Sequence, residues 1–128
     1  MTAKLDETKA QALIDEIAAR EKREDIAKLD AQFARKLSAL EDDDKAPADM
    51  IDKLRELWPM LRAPDEVVPF SAKALIMAAM SYFVSPLDMI PDVLGKAGYL
   101  DDAMIVRLVY RRVEVARDAF AAWSQSQR

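Results

Sequence analysis

Residues 71–102 read SAKALIMAAMSYFVSPLDMIPDVLGKAGYLDD, and the fold follows from how this stretch is parsed. Its first half, to Val84, is apolar nearly all round. Leu75, Ile76, Ala79, Met80 and Phe83 make the main stripe, and Ala78 and Tyr82 widen it. A helix without a polar face belongs in the middle of a fold. The second half holds both glycines of the chain, two of its six prolines and four aspartates: Asp88, Asp92, Asp101 and Asp102. Ser85 as N-cap, Pro86 as the first helical residue and Asp88 reaching back make a capped helix start. Pro91 stops that turn, and Gly95 and Gly98 supply positive φ where the chain reverses. Asp101 or Asp102 then caps the last long helix with a carboxylate at the positive end of its dipole. The pattern predicts a helical hairpin around residues 85–102.

Outward from this stretch, the rest of the chain also reads as helix. Met50, Ile51, Leu54, Leu57, Trp58 and Leu61 form an apolar face that Pro59 must kink or end near Trp58, with Pro47 at the first helical position. On the C-terminal side, Ile105, Leu108, Val109, Val113, Ala116, Phe120 and Trp123 line one face of a helix over about 101–123. Arg107, Arg111, Arg112, Glu114, Arg117 and Asp118 take the solvated side and offer salt bridges or, alternatively, an anionic contact. From Lys4 to Leu40 there is neither Gly nor Pro. Ile26, Leu29, Phe33, Leu37 and Leu40 make one stripe, while Leu13, Ile14 and Ile17 make another on a different face. Either one helix carries two apolar patches or a break separates two helices.

These elements predict an all-α domain, a small bundle of four or five helices over residues 1–128. Residues 1–45 form an amphipathic N-terminal arm and residues 47–125 the core. Composition narrows the chemistry. With 128 residues, 52% of them apolar and 33% charged, the chain can bury a core and solvate its surface. It has no cysteine and no histidine, so thiolate chemistry, imidazole bases and the commonest zinc ligands are absent. A net charge of −4 with dispersed Lys and Arg argues against nucleic acid. The start, MTAKLDETKA, lacks the apolar core of a secretory signal. The longest uncharged run, Ala74–Leu87, is 14 residues, short of the roughly 20 that span a bilayer. A cytoplasmic location is expected.

Tyr82, Ser85, Pro86, Asp88, Ile90, Pro91, Asp92, Gly98, Tyr99, Leu100, Asp101 and Asp102 together resemble the YkvA-type bacterial family of unknown function. Its hallmark is a Ser-Pro-x-Asp-x-Ile-Pro-Asp segment followed by Gly-Tyr-Leu-Asp-Asp, within residues 71–106. The resemblance implies no reaction, substrate or cofactor, and it implies a link with membranes for some relatives.

Two uses of the aspartates compete. Asp88, Asp92, Asp101 and Asp102 could gather as oxygen ligands for Mg²⁺ or Ca²⁺, or each could cap a helix or turn, which needs no cofactor. Tyr99 suits a hydrogen bond to a carboxylate that fixes the reversal. With no nucleophile motif, an enzyme is disfavoured. The expected role is a non-catalytic interaction or regulatory module. Leu13, Ile14 and Ile17 would receive a protein partner or a second copy. A metal or small-ligand site with hydrolytic chemistry and a peripheral membrane module are the alternatives.

Overall fold

The helix that the sequence places in the middle is there. Phe70–Val84 has Ala74, Ile76, Met77, Ala78, Ala79, Met80, Tyr82 and Phe83 all buried. The computed structural model describes residues 6–84 and 100–127, and among these every regular element is a helix. In chain order they are α1 (Glu7–Ala18), α2 (Ile26–Glu41), α3 (Ala48–Leu57), α4 (Phe70–Val84), α5 (Leu100–Arg112) and α6 (Glu114–Ser126). Short 3-10 turns occupy Arg23–Asp25 and Trp58–Arg62. The all-α class holds, and the six α-helices among the described residues exceed the four or five expected. Two runs that lack Gly and Pro are each divided.

The first division falls after Ala18. Arg20 N–H donates to Ile17 O and Glu21 N–H to Ala18 O, tightening the chain into a turn. The turn is then held from a distance: Arg23 donates to the Asp65 carboxylate, and its guanidinium lies 4.6 Å from the centre of the Phe70 ring. The change of direction turns the Leu13–Ile14–Ile17 stripe onto α4 and α5. Ile14 is fully buried, Ile17 nearly so, and Leu13 packs on the same core. The surface expected to receive a partner is thus covered by the chain's own helices. Arg111 meets Glu7 at 3.2 Å and Arg112 meets Asp15 at 2.8 Å across the α1–α5 seam, so these arginines serve as salt-bridge partners.

α2 buries Leu29, Phe33, Leu37 and Leu40. Phe33 stands edge-on to Trp58 with ring centres 5.1 Å apart and lies 5.8 Å from Phe83. Asp30 on the same helix accepts from Trp58 Nε1 and takes both its oxygens to Arg62 Nη2 at 2.7 Å. Pro47 sits one place earlier than expected, as the cap before α3. Pro59 ends α3 at Leu57, as its missing N–H requires.

The second division is at Val113, whose φ of −102° and ψ of 21° leave the helical range. Arg117 answers it: Nε donates to Tyr110 O at 3.0 Å, and the guanidinium covers the Tyr110 ring at 3.6 Å. Among the described residues, no helix is long and apolar enough to cross a membrane. α4, the most apolar, is 15 residues long and enclosed by α1, α2 and α5.

Candidate functional site

Polar chemistry gathers where α4 ends and α5 begins. The Tyr82 side chain, in the last turn of α4, is buried. Asp101 and Asp102 occupy the first turn of α5, where free backbone N–H groups favour carboxylates. Burial, and then the charges of Asp101 and Asp102, push the Tyr82 hydroxyl well above its ordinary titration range. Burial also raises Asp101. The Asp102 carboxyl is pushed up to about 6, chiefly by burial, with Lys36 of α2 pulling it down and Asp101 pushing it up. The Lys36 ammonium lies 5.9 Å from the centre of the Phe83 ring, so three helices contribute to this end of the bundle. On the residue before Tyr82, the Ser81 hydroxyl donates to Glu21 Oε1 at 2.9 Å. Burial raises Glu21, against the Ser81 bond and with some help from Asp25. Burial thus makes all three carboxyls easier to protonate than in water, Asp102 having the largest shift.

Of the four aspartates proposed as ligands, Asp101 and Asp102, neighbours in sequence, lie in the first turn of α5, and Asp88 and Asp92 lie outside the described residues. So do Ser85, Pro86, Pro91, Gly98, Tyr99 and the reversal itself. Among the described residues, no group of three or more acidic, His or Cys side chains could hold a metal ion.

Two features had no signal in the sequence. Lys73, a lone cation on an otherwise apolar helix, is buried with its ammonium on Ala63 O and 2.9 Å from Asp65 Oδ1. The hydrogen bonds of Arg23, then of Lys73, hold the Asp65 carboxyl well below the usual carboxylate range. The second is an open apolar groove of about 380 Å³ between the start of α4 and α6. Val67, Pro69, Ala72, Val113, Ala116 and Ala119 line it, with Glu66 and Arg112 at its edges. Val115 stands on its rim at 83% exposure, the one large apolar side chain so exposed among the described residues.

Residues 72–108, which hold Tyr82, Lys73, Asp101 and Asp102, match the family described as "Protein of unknown function (DUF1232)". Over this segment the chain is similar to that family. The chain is also similar to the "Uncharacterized membrane protein YkvA" of Bacillus subtilis (strain 168), 37% identical over 49 residues. That alignment covers 38% of this chain and 46% of the relative, so the chain spans under half the relative's length. No solved structure matches. Among the described residues, the matched segment comprises most of α4 and the front of α5, and it contains the Tyr82–Asp101–Asp102 group. The apolar groove lies mostly outside it.

Proposed function

We propose that the chain is a non-catalytic helical interaction module that takes an amphipathic segment of a protein partner into the groove between the start of α4 and α6. The groove with Val115 on its rim is the observation that supports this reading. Apolar side chains exposed beside a concave apolar wall, with charge at the edges, fit an amphipathic helix laid into a groove. Glu66 among the lining residues favours a basic residue on such a helix, while Arg112 is already paired with Asp15. This moves the docking surface away from α1, whose apolar face is consumed in folding.

Position 119 tests it. The chain has no cysteine, so Ala119→Cys gives a single labelling point in the groove. A photo-crosslinker there should give one saturable adduct of fixed mass in cells of the source organism. Excess unlabelled wild type should suppress it, and excess Val115→Asp should not. An adduct that both proteins suppress equally, or a smear that neither suppresses, defeats the reading.

A second reading is peripheral membrane attachment. It is favoured by the similarity to the Bacillus relative, whose name calls it a membrane protein. Flotation of the protein with vesicles containing anionic lipid, released by salt, would favour attachment over the groove.

A further inference from the structure

A second concavity lies on the other side of α6, against α3 and the turn that follows it. It encloses about 250 Å³ and is lined by Glu56, Met60, Arg117, Phe120, Ala121 and Ser124, with Gln125 at the edge. Tyr110 organises its two charges. Its hydroxyl donates to Glu56 Oε2 at 2.8 Å, and its ring and carbonyl hold the Arg117 guanidinium by one face and by Nε. A carboxylate and a guanidinium are therefore fixed at the edge and on the face of one phenol. Neither is used up: among the described residues Glu56 keeps one oxygen, and Arg117 keeps both terminal nitrogens, without a protein partner. Apolar walls from Met60 and Phe120 lie beside them.

We propose that this concavity binds a free α-amino acid with an apolar side chain. The carboxylate takes the two terminal nitrogens of Arg117, whose planar fork matches it, and the ammonium takes the open oxygen of Glu56. The side chain lies against Met60 and Phe120. A ligand of one charge leaves the other fixed charge unmet, which favours the zwitterion. The volume is below the roughly 300–1,000 Å³ of sites for drug-sized ligands, which limits the guest to a molecule of amino-acid size. The site is separate from the apolar groove and does not depend on it.

Amide NMR titrations of the full chain with L-leucine, 4-methylpentanoate and 3-methylbutylamine test the proposal. Leucine should give saturating shifts centred on Ala121, Ser124 and Gln125, and the acid and the amine should bind at least tenfold more weakly. Ala121→Trp fills the concavity from an exposed position, so its spectrum should keep the wild-type pattern elsewhere while leucine affinity falls at least tenfold. Glu56→Gln should bring leucine down to the affinity of the acid alone. Shifts that stay linear with concentration, equal affinity for leucine and 4-methylpentanoate, or undiminished binding by Ala121→Trp overturn it.

Discussion

Lys73 Nζ and Asp65 Oδ1 lie 2.9 Å apart, the lysine enclosed by the core and the aspartate open to solvent on its far side. The ammonium has the Ala63 carbonyl as its other partner. A buried charge that loses its counter-charge is far more costly than the pair is favourable. Asp65→Asn should therefore melt well below wild type. Adding Lys73→Met, which removes the stranded charge at similar volume, should recover most of the loss. Circular dichroism melts of the four proteins close the cycle, and additive effects would show that the two residues are not coupled.

The carboxyl groups give stability an unusual pH profile. Asp65 is held below its ordinary value of 3.8, so its contribution is complete above that pH and is lost as pH falls further. Asp102 is raised from 3.8 to about 6, so the fold is strained by its charge above pH 6 and relaxes on acidification toward its ordinary value. Asp101 and Glu21 shift in the same direction as Asp102. Urea midpoints should rise as pH drops from 7, peak at about pH 4–5, and fall steeply below. For a fully enclosed carboxyl, a rise from 3.8 to about 6 corresponds to ~3 kcal/mol. Partial contact with water and the lost attraction of Lys36 should reduce the gain from Asp102→Asn at pH 7 to ~1–2 kcal/mol. That variant should show a flattened acid-side rise, and an unchanged profile would remove Asp102 as its source.

Ile14 distinguishes a helix that belongs to the core from one held out for a partner. It is fully buried beneath α1, so Ile14→Ala should cost ~2–4 kcal/mol in denaturant unfolding. An exposed interaction residue would change stability by less than ~0.5 kcal/mol.

Arg117 should hold the joint between α5 and α6. Its hydrogen bond to Tyr110 O and its position over the ring are together worth ~1–2 kcal/mol. Arg117→Ala should cost that much and speed amide exchange across Glu114–Ser126 more than across α4. Uniform acceleration would mean that the joint is held by something else.

The central helix was legible because an all-apolar run of that length has few alternatives, and Pro59 marked the end of α3 by chemistry alone. The two breaks were not equally legible. The mismatch between Ile17 and Ile26 showed that the first was possible, but the turn is fixed by Arg23 reaching Asp65 and Phe70, more than forty residues on. At Val113 the local sequence favours helix, and the bend is stabilised by the Arg117 side chain, which substring patterns do not weigh. The same limit applies to the sites. Tyr82, Asp101 and Asp102 stood out as types within a motif, and the structure brings them together. Both concavities are made from walls far apart in sequence, and Leu13–Ile14–Ile17 looked free only because the helices that cover it come later in the chain.

α4 has little outer face beyond its first turn, and this makes the matched segment a guest rather than a unit. Residues 72–108 on their own would expose apolar surface on nearly every side, because α1, α2 and the turn after α3 supply the covering. In this chain the outward-facing surface is therefore supplied mostly by residues beyond the matched segment, so the segment fixes the centre of the bundle and leaves its exterior to the rest of the sequence.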